Sequence, residues 1–170
     1  MKKIILVISL ICTHVFAIEM AKVPSNIVLE GDNGGKIDGS TWNSKMLKGK
    51  VHIVFYVDPD KRNVNEKLSK ALKKRHFNRK KYASVAIINL AATWLPNSIL
   101  EAKLKTKQKE FPDTIYVKDE KKILVKKWAL ADDNSDILIF NKRGKLIYKK
   151  FGKVSDKEIA VVLKLIEKNL

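Results

Sequence analysis

Cysteine is nearly absent from this sequence: Cys12 is the only one in 170 residues. An internal disulfide needs two thiols, and structural zinc sites draw most of their ligands from cysteine. The chain can therefore form neither a disulfide framework nor a thiolate metal site, and its stability must come from packing and hydrogen bonds. Histidine is also scarce. Beyond the N-terminal segment only His52 and His76 remain, with no second ligand spaced to join either, so we predict no metal site and no cofactor.

The N-terminus has the three parts of a secretory signal peptide. Lys2 and Lys3 precede an apolar run, Ile4 to Cys12, and the small residue Ala17 predicts the cleavage site. An uncleaved anchor is the alternative, but the run falls well short of the ~20 residues that a membrane span needs. A bulky Ile11 before the cysteine argues against a lipoprotein signal. We therefore predict a periplasmic protein, with residues 1–17 removed and no membrane span in the mature chain.

Acidic residues are few, 18 against 35 lysines and arginines. Cleavage removes Lys2 and Lys3, which leaves 33 basic and 18 acidic residues and a net charge of +15. In the periplasm the available anions are envelope polymers and lipids, so we predict no nucleic-acid partner. Because the lysines are spread over most of the chain, a solubilising surface is the plainer interpretation. A weak contact with the anionic envelope surface stays open as the alternative.

The segment Val51 to Val57 is the strongest strand in the sequence. It is β-branched and aromatic with no polar face, which predicts a strand buried on both sides at the centre of a sheet. A second apolar strand lies within Tyr82 to Leu90, and periodic leucines predict a helix between the two. The order β-α-β-α-β, then a variable stretch, a hairpin and a helix predicts an α/β fold.

Local signals predict further turns and helix ends. Asp58 with Pro59 is typical of a helix start, and Lys36-Ile37 is expected to return against Ile27 to Leu29 as a hairpin. Two capping boxes are predicted, Ser98 with Glu101 and Ser155 with Glu158. A glycine turn at Asn141 to Gly144 predicts the C-terminal hairpin.

This order of elements resembles the thioredoxin fold, a mixed central sheet flanked by helices that ends in a β-hairpin and a helix. The segments Thr41-Trp42-Asn43-Ser44, Leu47-x-Gly49-Lys50-Val51 and Trp128 to Gly144 resemble the YtfJ family, a group of exported bacterial proteins with this fold. The resemblance covers roughly residues 20 to 170. It implies a single thioredoxin-like domain over residues 18–170.

Catalytic members of this fold hold a thiolate at the start of the helix that follows the central strand, and a second cysteine one turn later. Counted from Gly49, these positions fall at about Lys61 and Val64. The cis-proline that such enzymes place before the hairpin would fall near Ser135. Because the thiols are missing, thiol–disulfide exchange and cysteine peroxidase chemistry are excluded.

Three loops of such a fold meet at one edge of the sheet, where open α/β sheets bind ligands. Here they are residues 58–63, 91–97 and 131–135. They bring together the candidate binding residues, which are Asp58, Asp60, Trp94, Asp132 and Asp133. One hypothesis is an oxygen-ligand cation site or a pocket for a cationic peptide. The other is that these aspartates cap a helix and fill a polar loop neutralised by Lys61 and Arg62.

Three functions follow from these features. The first is a non-catalytic module that binds a periplasmic protein or peptide at the vestigial active-site edge, and we predict no catalytic residues for it. The second is an enzyme that uses carboxylates or a bound cation at that edge. The third is an envelope-binding protein that works through its lysines. Serine hydrolysis lacks support, because Ser44 and Ser98 have no accompanying histidine motif.

Overall fold

The computed structural model describes residues 17–170. The predicted signal peptide, apart from Ala17, and with it Cys12, lies outside the described residues. Among the helices of the described part, none is both long and apolar enough to cross a membrane.

Eight strands and four α-helices make up the described chain. The strands are β1 (Val28–Leu29), β2 (Gly34–Lys36), β3 (Trp42–Asn43), β4 (Val51–Val57), β5 (Tyr82–Asn89), β6 (Thr114–Asp119), β7 (Ser135–Phe140) and β8 (Leu146–Phe151). The helices are α1 (Glu66–Lys74), α2 (Asn97–Glu110), α3 (Ile123–Trp128) and α4 (Asp156–Asn169). A β-α-β-α-β unit is therefore followed by a short helix, a hairpin and a final helix, as predicted.

The main sheet has six strands in the order β2-β6-β5-β4-β7-β8. Strands β4, β5 and β6 run parallel, and β7 pairs with β4 in the antiparallel direction. Every residue of β4 is buried, which confirms the predicted central strand. Strand β4 lies between β5 and β7, and side chains pack against both of its faces. No face of β4 meets water, which explains why its sequence is apolar throughout.

Successive residues of β4 point to opposite faces of the sheet and enter two separate cores. On one face, Val54 and Tyr56 pack with Trp42, Trp128 and other buried residues of α3 and the N-terminal segment. On the other face, the β4 residues Ile53 and Phe55 belong to a core built with α1 and α4. Helix α2 covers the same face further along, where its residue Leu104 packs against Ala86 and Tyr116.

Two local predictions are wrong. Lys36-Ile37 does not form a hairpin arm with the first strand, because β2 pairs with β6 and β1 pairs with β3. The capping box of Ser98 is also absent, since α2 begins at Asn97 with Pro96 as its N-cap. Glu101 instead forms an ion pair of 3.0 Å with Lys118.

The structure also tests the predicted start of α4, the predicted hairpin turn and the predicted helix after β4. The capping box of Ser155 and Glu158 at the start of α4 is confirmed. The Gly144 N–H donates to the Asn141 carbonyl across 2.8 Å, which closes the predicted hairpin turn between β7 and β8. After β4, Pro59 begins only a single 3-10 turn, Pro59–Lys61, and the α-helix itself starts later at Glu66.

The two edges of the main sheet differ in design. Strand β2 has three residues, of which Gly34 and Gly35 are two. Strand β8 is longer and carries Lys149 and Lys150, whose ammonium groups hydrogen-bond to the Ile18 carbonyl and pair with Glu158. Neither edge therefore presents a long apolar strand.

Candidate functional site

Each of the three parallel strands ends in a buried polar residue. Asp58 follows β4, while Asn89 and Asp119 are the last residues of β5 and β6. Each of the three side chains is at most 1% exposed. Because the carboxyl ends of parallel strands share one edge of a sheet, these groups form a polar layer at the edge where open α/β sheets bind ligands.

Asp58 fastens the end of β4 to the loop before β7. Its Oδ2 accepts a hydrogen bond of 2.8 Å from the Asn134 N–H, and its own N–H donates to the Asn134 carbonyl. Burial raises the pKa of Asp58, and the nearby Asp132 and Asp133 add to this effect. Asp58 occupies the predicted N-cap position before Pro59, but its side chain makes no capping hydrogen bond and instead braces two loops.

The two exposed aspartates of the third loop are neutralised by lysines. Asp132 accepts hydrogen bonds from Lys122 Nζ at 2.7 Å and from Asn89 Nδ2 at 3.1 Å. The Lys122 hydrogen bond lowers the pKa of Asp132, so this carboxylate stays ionised at neutral pH. Asp133 lies 3.5 Å from Lys61.

The other two candidate binding residues, Asp60 and Trp94, are exposed. Asp60 is exposed in the 3-10 turn, and Trp94 keeps 88% of its surface exposed. The structure therefore brings Asp58, Asp132 and Asp133 together, but Trp94 packs little against the protein. Over residues 17–170, no three histidine, cysteine or acidic side chains are arranged to hold a metal ion.

Sequence reasoning missed the buried partners of this edge. Asp136 is fully buried opposite Tyr56, and its Oδ2 accepts a hydrogen bond of 2.8 Å from the Ala131 N–H. Burial raises the pKa of Asp136 to about 7, and the nearby Asp58 adds to this shift. Asp119 accepts the N–H groups at the start of α3 and the Tyr56 hydroxyl. The available signal was a polar residue at the end of each apolar strand.

The two positions counted for the missing thiols, Lys61 and Val64, lie between β4 and α1. Lys61 ends the 3-10 turn, and the Val64 N–H donates to the Lys61 carbonyl directly before α1. Beside them, Asn65 is 4% exposed and donates to Ser135 Oγ at 3.0 Å and to the Gly152 carbonyl at 3.1 Å. The same amide donates to the Ser135 carbonyl, and its oxygen accepts from the Val154 N–H. A network of buried hydrogen bonds around Asn65 therefore ties the start of α1 to the loops before β7 and after β8.

A cavity of about 300 Å³ lies between α1 and α2, on the face of the sheet that these two helices cover. Residues of β4, β5 and β6, among them Phe55, Ala86 and Tyr116, contribute to its lining. These three residues are 7–9% exposed, whereas Ile87 on the opposite face is fully buried. Sequence reasoning missed this cavity, because only the small residues Ser84 and Ala86 in an otherwise bulky strand hint at unfilled space.

The lining of the cavity combines apolar and basic side chains. Leu72 of α1 and Leu104 of α2 contribute apolar surface. Five lysines and arginines contribute to the lining, namely Arg62, Lys73, Arg79, Lys103 and Lys107. Only two acidic residues do so, Glu66 and Asp113. The cavity therefore has an apolar interior and an excess of positive charge.

Solved structures define the class of this protein. The thioredoxin domain of a thiol-disulfide oxidoreductase from Bacteroides vulgatus has a TM-score of 0.62 and 16% identity, covering 88% of this chain and 99% of that domain. A peroxiredoxin-like protein from Aquifex aeolicus also has a TM-score of 0.62, with 12% identity and coverage of 91% and 89%. The chain thus has a thioredoxin-like fold.

The family is narrower than the fold. Residues 15–169 match the model of the bacterial proteins of unknown function YtfJ_HI0045, and the chain belongs to this family. A Haemophilus influenzae protein described as uncharacterised is 30% identical over 128 residues, which cover 74% of this chain and 70% of that relative. The resemblance noted in the sequence is therefore confirmed.

Proposed function

We propose that this chain is an exported, non-catalytic binding module that holds a ligand in the cavity between α1 and α2. The observation that carries the proposal is the cavity itself, whose volume of about 300 Å³ lies in the range of small-molecule sites. Its lining includes Pro59 and Arg62 from the loop after β4, so it adjoins the edge that is catalytic in other thioredoxin-like proteins. Without thiols, the loop after β4 can still contact a ligand in the cavity through Pro59 and Arg62.

The acidic loops support an enzymatic function less well. The carboxyl groups with a raised pKa, Asp58 and Asp136, are 1% and 0% exposed, so a substrate cannot reach them. The accessible Asp132 has a lowered pKa and is held by Lys122. A general acid must combine access with a pKa near the working pH, and none of these three carboxyl groups does so.

Export is supported by the packing at the predicted cleavage site. Ile18 would be the first residue of the mature chain, and it is 3% exposed in the core. Its N–H donates to the Trp128 carbonyl across 2.9 Å. The residue that cleavage after Ala17 would leave at the N-terminus is therefore anchored in the folded core. Sequencing the N-terminus of the exported protein tests this proposal, and any start other than Ile18 contradicts it.

Filling the cavity tests the binding function. The neutral apolar fluorophore N-phenyl-1-naphthylamine is titrated against the purified protein. Ala86→Phe, which adds bulk at the cavity lining, is expected to weaken binding at least tenfold, because the ring takes the volume that the probe needs. The matched control is Val161→Phe on α4, where the side chain is 56% exposed, and it leaves binding unchanged.

Two results would contradict the cavity as the binding site. One is equal probe binding by Ala86→Phe, the control and the unaltered protein, with thermal unfolding showing that all three are folded. The other is binding that survives Ala86→Phe but is lost in Trp94→Ala. That pattern would move the site to the loop edge, where the exposed Trp94 would serve a protein or peptide partner.

A further inference from the structure

We propose that the ligand of this cavity is an unbranched carboxylate with an apolar chain of about ten carbons, bound with its carboxylate at the Tyr82 end. This inference rests on the proposed function and names the chemical class of the ligand. Its three supports are the volume of the cavity, one buried hydroxyl group without a regular hydrogen bond, and the placement of the basic side chains.

The volume sets the length of the chain. A water molecule occupies about 30 Å³ in the liquid, and a methylene group is of similar size. The cavity of about 300 Å³ therefore holds roughly ten such groups. The apolar lining residues Val57, Ala86, Leu100 and Leu104 suit an alkyl chain and offer it no hydrogen bonds.

The Tyr82 hydroxyl provides a donor for the headgroup. Tyr82 is 2% exposed and contributes to the cavity lining, and its hydroxyl makes no hydrogen bond of regular geometry in the described part of the chain. Burial raises the pKa of Tyr82, so the hydroxyl keeps its proton and can donate. The Ser84 side chain, which also lines the cavity, lies near enough to oppose this rise in the pKa of Tyr82. A buried polar group normally has a partner, and a carboxylate oxygen arriving in the cavity would supply one.

One basic side chain lies beside Tyr82, and two more lie beside Phe111 in the same lining. The Arg79 guanidinium lies 5.6 Å from the centre of the Tyr82 ring. Lys73 and Lys107 lie 5.1 and 5.5 Å from the centre of the Phe111 ring, which also contributes to the lining. Their positive charge complements a carboxylate and opposes a cationic headgroup.

The present partners of these cations leave them available. Arg79 pairs with Asp113 and Lys107 with Glu110, each at 2.7 Å, and all four side chains are 37–58% exposed. Exposed ion pairs contribute little to stability because water screens them. The cations can therefore turn toward a ligand carboxylate with little loss to the fold.

The experiment compares three probes, each with an unbranched ten-carbon chain, by calorimetry with the purified protein at low salt. Decanoate is expected to bind at least tenfold more tightly than decanol, and decyltrimethylammonium is expected to bind most weakly. Affinity should rise about threefold to fourfold for each added methylene up to roughly ten carbons, because each buried methylene contributes a fixed transfer free energy. Beyond that length the rise should stop.

A pair of hydroxyl deletions locates the carboxylate. Tyr82→Phe should weaken decanoate binding about tenfold and leave decanol binding unchanged. Tyr148→Phe is the matched control, since the Tyr148 hydroxyl also lacks a hydrogen-bond partner among residues 17–170 but does not line the cavity. This variant should leave both ligands unaffected.

Failure of this inference can be told apart from failure of the binding function. Equal binding of decanoate and decanol, or no effect of Tyr82→Phe, overturns the carboxylate while the cavity remains a binding site. Binding of N-phenyl-1-naphthylamine without binding of any ten-carbon probe overturns the ligand class. If Ala86→Phe also leaves the binding of N-phenyl-1-naphthylamine unchanged, the proposed function itself is overturned.

Discussion

Asp136 places a carboxyl group inside the sheet, directly opposite Tyr56. One of its oxygens is held by the Ala131 N–H, and the other has no hydrogen-bond partner in the described chain. Asp58, which follows Tyr56 by two residues on the same face of the sheet, also has one oxygen without a partner. Two buried carboxylates disfavour each other's charge, so the pair favours retention of a proton.

The raised pKa of Asp136 predicts how stability depends on pH. The folded protein binds this proton with a pKa of about 7, against 3.8 in the unfolded chain. Between these values the folded state holds more protons, so stability falls as pH rises from about 4 to about 7. A neutral side chain removes the cost of the buried charge, and Asp136→Asn is expected to raise the free energy of unfolding at pH 8 by roughly 2 to 4 kcal/mol.

Urea unfolding at pH 4.5, 6 and 8 measures this effect. The gain from Asp136→Asn should shrink toward zero at the lowest pH, where the native carboxyl group is already protonated. Asp132→Asn is the matched control, because Lys122 lowers the pKa of that exposed carboxylate and its contribution is lost on acidification. Its effect at pH 8 should be a loss below about 1 kcal/mol. A gain from Asp136→Asn that is equal at all three pH values would contradict the assigned pKa.

At the scale of elements, the two predicted capping boxes make a natural comparison. In α4 the Ser155 hydroxyl accepts from the Glu158 N–H, while the Glu158 carboxylate accepts from the Ser155 N–H. In α2 the equivalent serine, Ser98, lies inside the helix, because the helix begins at Asn97, two residues earlier than a Ser98 cap would require. The same sequence pattern therefore has a capping role at one helix only.

Ser155→Ala is expected to lower the free energy of unfolding by about 1 kcal/mol, as the loss of an N-cap hydroxyl usually does. Ser98→Ala should change it by less than about 0.5 kcal/mol, since that exposed serine caps nothing. Thermal unfolding of both variants beside the unaltered protein provides the measurement. Equal losses would show that the α2 serine caps its helix in solution.

The elements predicted correctly are those whose signals lie within a few residues. The burial of β4 follows from its own side chains, and the hairpin turn follows from Gly144 three residues after Asn141. The pairing of β2 with β6 could not be predicted, because it joins Gly34 to Asp119 across 85 positions. Gly34 takes a positive φ of 119°, and a side chain there would clash with the Lys118 carbonyl. Only the tertiary contact explains why glycine is needed.

The loop aspartates of the candidate site could be predicted from the sequence, but its buried amide and the cavity could not. The meeting of Asp58 with Asp132 and Asp133 follows from the loop order of the fold. The buried amide of Asn65 and the cavity between α1 and α2 depend instead on how far apart helices lie, which no local pattern encodes. Trp94 was predicted to join the site from its loop position, yet its exposure depends on how that loop packs.

At the scale of the whole molecule, the excess of basic residues predicts a surface effect. The full sequence carries 35 lysines and arginines against 18 acidic residues. Binding to vesicles that contain phosphatidylglycerol is expected at about 20 mM salt and should fall at least tenfold at about 150 mM, because screening shortens the reach of exposed charges. Co-sedimentation measures it, and neutral phosphatidylcholine vesicles are the control. Binding that survives the higher salt would require an apolar contact.

The short glycine strand at one border of the main sheet and the lysines at the other have a consequence for self-association. A second molecule seeking to extend the sheet would find three residues to pair with at β2, and at β8 it would have to strip water from ammonium groups. Growth of the sheet from molecule to molecule is disfavoured at both borders.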